Sequence, residues 1–150
     1  MIAIDNIQQY LINKLDSISS IGEVPVAAAI ELNGRVVSTA WNSRETSNSP
    51  ISHAELLAIE DATRILGRWR LSDCILHTTL EPCPMCMAAA QQARLKKIIY
   101  FAKDVNRGAI SLKLNLHNND NLNHKIEVEY SENELASKKL KAFFHPRRSK

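Results

Sequence analysis

One histidine, one glutamate and two cysteines carry the chemistry open to this sequence. They stand as His53-Ala54-Glu55 and, thirty positions further on, Pro82-Cys83-Pro84-Met85-Cys86. An imidazole and two thiolates supply three ligands to a tetrahedral Zn²⁺ and leave the fourth position to water. That is the catalytic count, since a closed structural site takes four protein ligands. Water on such an ion loses its proton near neutral pH and becomes a nucleophile. Glu55 is not needed as a ligand, and its place two residues after His53 suits it to handle that water's protons. The ordered set of His53, Glu55, Cys83 and Cys86 points to hydrolysis at one zinc ion per chain.

Two helix starts have to position these groups. Cys83 and Cys86 follow an apolar segment through Thr79-Leu80-Glu81-Pro82, so the Cys-x-x-Cys grip falls where a strand gives way to a helix. Free N–H groups and partial positive charge at a helix start favour thiolate over thiol. Pro82 fits that junction because its missing N–H is not required there. His53 opens a second predicted helix, from Ile51 to about Leu66. Plainer explanations exist for each part. Ser52-His53-Ala54-Glu55 is also an S-x-x-E capping box, which by itself accounts for the serine and the glutamate. A lone Cys-x-x-Cys serves equally as a redox pair or as half of a structural zinc site. The combination favours the open metal site, because a capping box gives no reason for a Pro-Cys-x-x-Cys at a later strand–helix junction. Cys74 reads as a small buried hydrophobe, and His77 in the same segment as structural or exposed.

The remaining elements follow from periodicity. Ile4, Ile7, Leu11, Leu15 and Ile18 recur at helical spacing and predict one helix that ends before Gly22. Val24 to Leu32 and Arg35 to Trp41 flank Asn33-Gly34, a hairpin turn whose residues both tolerate positive φ. The 51–66 helix is followed by a strand over 74–80, a helix over 84–94 and a strand from Lys97 to Ala102. The polar stretch from Asn115 to Asn123 is a loop. Ile126-Glu127-Val128-Glu129-Tyr130 predicts a fifth, edge strand with one wet face, and Ser131-Glu132-Asn133-Glu134 caps a last helix. The order predicts an α/β fold in three layers, a mixed five-stranded sheet with helices on both faces.

Length and composition are compatible with this and add a clue about partners. At 150 residues and 45% apolar content, residues 1–150 suit a single domain with a real core. No stretch is long and apolar enough to span a bilayer, so a membrane role is not expected. The start of the chain lacks a basic, apolar secretory signal. Three cysteines, two of them assigned to metal, do not make a disulfide framework, and a cytoplasmic location is expected. The net charge of +3 is unevenly spread. Residues 1–90 carry six Lys/Arg against ten Asp/Glu, whereas residues 91–150 carry thirteen against six. The basic C-terminal portion suits an anionic partner.

From about Glu23 to Arg148 the chain resembles the bacterial tRNA-specific adenosine deaminases of the cytidine deaminase-like superfamily, a group whose H-x-E and P-C-x-x-C signature and use of zinc are general knowledge. Glu23-Val24-Pro25-Val26, Trp41-Asn42, His53-Ala54-Glu55, Arg70-Leu71, Thr79 through Cys86, Asn123-His124-Lys125, Phe143-Phe144 and Arg147-Arg148 carry the resemblance. It implies zinc on His53, Cys83 and Cys86, with Glu55 as proton shuttle. It implies a base pocket in which Asn42 hydrogen-bonds the target base between Val26 and Leu80, with Asp104 near a flanking nucleotide. The implied substrate is the anticodon stem-loop of tRNA, its wobble adenosine converted to inosine, with Arg147 and Arg148 on the RNA and a homodimer whose second subunit helps to bind it. A base in an anticodon loop is already largely unstacked, which lowers the cost of extruding it. The backbone N–H groups of Glu81 to Cys83 are candidates for polarising the attacked ring. Ala27 stands where the family usually has glycine, a methyl group expected near the base pocket. Met87-Ala88-Ala89 likewise replaces a glycine-containing triplet beside the metal helix. Two other functions share the zinc motif. A free-base or nucleoside deaminase of the guanine or cytosine type needs no basic C-terminal helix. A non-catalytic zinc-stabilised RNA-binding subunit has no use for Glu55.

Overall fold

A computed structural model of the chain describes residues 1–148, and the side chains of residues 1–145. In order the elements are β1 (Ile2–Ala3), α1 (Ile7–Ile12), α2 (Leu15–Ser20), β2 (Ala27–Leu32), β3 (Arg35–Trp41) and α3 (Ala54–Leu66). They continue with β4 (Cys74–Thr78), α4 (Pro84–Gln92), β5 (Lys97–Tyr100), β6 (Glu127–Tyr130) and α5 (Glu134–Arg148). The strands form one mixed sheet in the order β1-β3-β2-β4-β5-β6. Pairing is antiparallel from β1 to β4, and parallel from β4 through β5 to β6.

The sheet sits between two apolar layers, and β2 shows why. Alternate residues of a strand face opposite sides. Ala28 and Ile30 pack with Ala54, Ala58 and Ala62 of α3 and with Met87 and Ala90 of α4. Ala27 and Ala29 pack with Leu11, Ile12, Leu15 and Ile18 of α1 and α2 and with Ala136 of α5. A strand covered on both faces is apolar throughout that stretch instead of alternating, and the small alanines let helices approach from either side. Asn33 and Gly34 both take positive φ, 51° and 79°, in the β2–β3 turn. Gly67 ends α3 in the left-handed conformation, the usual helix stop.

The sheet has six strands rather than five, because residues 2 and 3 pair with Val36 and Arg35 and extend it beyond β3. The expected single first helix is two. Lys14 N–H donates to Leu11 O, a three-residue turn that interrupts the four-residue pattern. The apolar stripe survives the break, since Leu11, Ile12, Leu15 and Ile18 all stay in one layer. Glu127–Tyr130 is indeed the edge strand, with both glutamates exposed. Asn133 Oδ1 accepts from Leu135 N–H at the start of α5.

The topology gathers one end of the molecule into a site. β4, β5 and β6 run parallel, so their carboxyl ends lie together, where crevices form in such sheets. The segment that precedes β2 reaches the same end because β2 is antiparallel to β4, and the segment that follows β3 does so because β3 is antiparallel to β2. Phe101, fully buried just past β5, packs between the sheet and the α1–α2 layer. Phe101→Ala is expected to lower stability by about 3–5 kcal/mol in denaturant titration, the range for deleting a buried aromatic ring.

Candidate active site

His53 and Cys83 occupy equivalent places on two helices. His53 is the N-cap residue of α3, and Cys83 is the N-cap residue of α4 with Pro84 in the first turn. Cys86 lies one turn into α4 and is fully buried. His53 Nδ1 stands 3.7 Å from Cys83 Sγ and 3.5 Å from Cys86 Sγ. The three ligand atoms lie within 4.8 Å of one another, a grouping that fits one metal ion. Tetrahedral zinc with Zn–N of about 2.0–2.1 Å and Zn–S of about 2.3 Å sets an N···S edge of roughly 3.6 Å. The measured edges match, so the donor set fits zinc.

Electrostatics at the cluster follow from shared protons. Cys83 is lowered to about 4, first by the hydrogen bond from Cys86 and then by that from His53. Cys86 is raised, because it holds the proton of that bond and is buried. His53 is raised by its bond to Cys83. A bound cation would take over the role of these protons, which is why metal binding by such sites releases them.

Glu55 is buried, and its Oε1 has no hydrogen-bond partner. Burial pushes its carboxyl up to about 7. The capping box open to Ser52 and Glu55 is not made, since no side chain of that segment caps α3. The cap comes from elsewhere. Asn42, just past β3, accepts the Ala54 N–H at 2.8 Å through Oδ1. A buried backbone donor at a helix start needs such a partner, and this one fixes the orientation of the amide, which also lines the cavity.

His53, Glu55 and Cys83 form part of the wall of one cavity of about 960 Å³. Val26, Asn42, Leu80 and Asp104 line it too, so residues far apart in sequence meet at one cavity. Asp104 has its carboxyl raised by burial. The side chains of Arg147 and Arg148 lie outside those described. Of the N–H groups from Glu81 to Cys83, that of Glu81 donates to Ala102 O and Pro82 has none, which leaves Cys83.

Several features differ from expectation. Ala27 does not reach the cavity, because its position on β2 turns the methyl group into the α1–α2 layer. Met87 is fully buried in the opposite layer and also stays clear of it. Asn123 and His124 do not line the cavity. His124 instead bonds Leu95 O through Nε2 at 2.6 Å, and its carbonyl accepts from Gln91. Other lining residues were not singled out from sequence, among them Arg44, Lys103, Arg107 and Lys141. Three of these four cations belong to the basic half of the chain, so charge asymmetry was the signal that pointed to them. Tyr130 at the rim stacks on Tyr100 at 5.2 Å between ring centroids, with Lys103 Nζ over its ring at 5.0 Å.

Residues 5–102 match the family described as the cytidine and deoxycytidylate deaminase zinc-binding region. The tRNA-specific adenosine deaminase of Bacillus subtilis is 40% identical over 130 residues, covering 86% of this chain and 81% of its own length. That of Aquifex aeolicus is 42% identical over 123 residues, 82% of each. A solved structure from biochemical and structural studies of A-to-I editing by tRNA:A34 deaminases at the wobble position of transfer RNA is also similar. It has a TM-score of 0.76 at 32% identity, over 81% of this chain and 94% of that one.

Cys86→Ala is expected to reduce bound zinc from about one equivalent per chain to near zero in metal analysis, since two protein ligands no longer define the site.

Proposed function

Because this chain belongs to the tRNA-specific adenosine deaminases of the zinc-binding cytidine and deoxycytidylate deaminase family, we propose that it hydrolyses adenosine to inosine at the wobble position of the tRNA anticodon. One observation carries the chemistry. Glu55 Oε1 is buried and without a partner, on the same helix start as His53 and in the same cavity wall.

His53, Cys83 and Cys86 hold the zinc, which supplies Lewis-acid activation of water at neutral pH. Glu55 takes a proton from the attacking water and delivers it to the ring nitrogen beside the attacked carbon. It then moves the second proton to the amino group as the C–N bond breaks, so water and adenine give the carbonyl and ammonia. A carboxyl raised by burial into the neutral range suits a group that must both take and give a proton. Val26 and Leu80 offer apolar contact to the base, and the Asn42 NH₂ donates to an acceptor on its edge. Cys83 N–H lies beside the site at the head of α4. Arg44, Lys103, Arg107 and Lys141 surround the cavity with positive charge, which suits the phosphates of a loop with its target base turned inward. Arg147 and Arg148 belong to the helix that carries Lys141, and their cationic type suits contact with the RNA. The whole of residues 1–150 acts as one deaminase domain, as a homodimer in which the second subunit helps to bind RNA, in the cytoplasm. Among the described residues, no helix is long and apolar enough to cross a membrane.

The test is incubation of the zinc-loaded protein with an anticodon stem-loop carrying wobble adenosine, with free adenine, guanine, cytosine and their nucleosides in parallel. Inosine in the RNA with the free bases untouched is the expected result, and deamination of a free base alone overturns it. Glu55→Ala is expected to keep zinc and lower turnover by at least about 10²–10⁴-fold, the contribution of a positioned acid–base group. Loss of zinc instead assigns Glu55 to the stability of the metal centre. Replacing Arg147 and Arg148 by alanine is expected to weaken stem-loop binding. The slope of log K against log salt should become shallower by about 1 for each phosphate that is no longer neutralised, and unchanged binding at low salt removes both from the interface.

A further inference from the structure

Among the described residues, one buried carboxylate beside the metal cluster is left without a role by the chemistry above. Glu81 is 2% exposed and precedes Pro82 and Cys83. Four hydrogen bonds end on it, all from a single loop. Asp104 N–H donates to Oε1 at 3.1 Å, and Ser111 donates to Oε1 through Oγ at 2.6 Å. Ile110 and Ser111 donate their N–H groups to Oε2 at 3.1 and 2.7 Å. Resting on the deaminase function proposed above, we infer that Glu81 is a positioning residue for the RNA. It suspends the 103–111 loop at the cavity and sets Asp104, Asn106 and Arg107 relative to Cys83.

Three observations support this. The loop lies in neither a helix nor a strand of the sheet, so its amides need partners from elsewhere, and an apolar side chain of equal size fills the space without supplying them. The loop is also tied to the metal-ligand segment by backbone. Ala109 N–H donates to Pro82 O at 2.9 Å, and Glu81 N–H to Ala102 O at 2.8 Å. Finally, Gly108 is shaped to the carboxylate. A Cβ there would lie 1.9 Å from Glu81 Oε2, so only glycine lets the loop close on it. Lys103 to Arg107, the part that lines the cavity, is therefore held from Asp104 at one end and from Ile110 and Ser111 beyond the other. Glu23 does the same for the backbone that follows Arg44, accepting from Glu45 N–H and from Thr46 N–H and Oγ–H. Both carboxylates work as surrogate sheet partners for irregular backbone at the cavity edge.

Two substitutions disturb the same contact from opposite sides. Glu81→Gln places an amide NH₂ among N–H donors, and Gly108→Ala pushes a methyl group against Oε2. Each is purified with zinc and assayed with the wobble-adenosine stem-loop for kcat, KM, zinc content and melting temperature. Both are expected to keep zinc at the wild-type ratio and to raise KM at least about tenfold with kcat little changed, as for weakened substrate positioning. Glu81→Asp, which keeps the charge, is expected to restore part of the affinity. Wild-type KM in both variants overturns the inference. So does loss of zinc or unfolding in both, which makes Glu81 a support of the metal segment and not of the substrate. If the wild-type protein makes no inosine, the deaminase function fails separately. Stem-loop affinity by fluorescence anisotropy then decides the inference, with weaker binding by both variants expected and equal binding counting against it.

Discussion

The geometry of the site depends on the meeting of two helix N-termini at His53 Nδ1, within 3.5–3.7 Å of both cysteine sulfurs. Each helix start contributes an N-cap ligand and a field that favours negative charge. For α3 and α4 to converge there, both must lie on one face of the sheet and begin at one end of it. The small residues Ala28, Ala54, Ala58, Ala62 and Ala90 in that layer allow the close packing. Cys86 then follows one turn along α4 without further constraint.

Polar groups around this point are divided between holding backbone and meeting the ligand. Asn42 caps α3 through its oxygen and also lines the cavity. Glu23 and Glu81 accept from loop amides and from the hydroxyls of Thr46 and Ser111. Glu55, by contrast, keeps a buried oxygen without a partner. Native structures seldom leave such an atom orphaned unless it has work to do. The contrast among four buried polar side chains sets the Glu55 carboxylate apart from the two that hold loop backbone.

Much of the site was legible in the sequence because its residue types are rare in that combination. His53, Glu55, Cys83 and Cys86 are close in sequence to their helix starts, and a helix start is a local property. The hairpin at Asn33-Gly34 and the edge strand at Glu127–Tyr130 were legible for the same reason. Less visible was what depends on contacts between distant segments. The helix break at Lys14 leaves the apolar periodicity intact. A two-residue strand at Ile2–Ala3 has no pattern at all. The destination of Ala27 depends on which face of β2 it occupies, and a shift of one residue inverts that face.

The sequence by itself determined the donor set: three metal-ligating side chains, a glutamate two residues from one of them, and a basic C-terminal portion. These follow from residue identity and short-range spacing, which folding does not alter. Only the tertiary structure decided how the groups are employed. It turned the Ser52–Glu55 capping box into an Asn42 cap, and it set His124 as a tie to the Leu95 carbonyl. It also brought Arg44 to the same cavity wall as Lys103, Arg107 and Lys141. The physical reason is that a polar side chain bonds whatever unsatisfied group packing places within about 3 Å of it, and that neighbour usually lies far away along the chain.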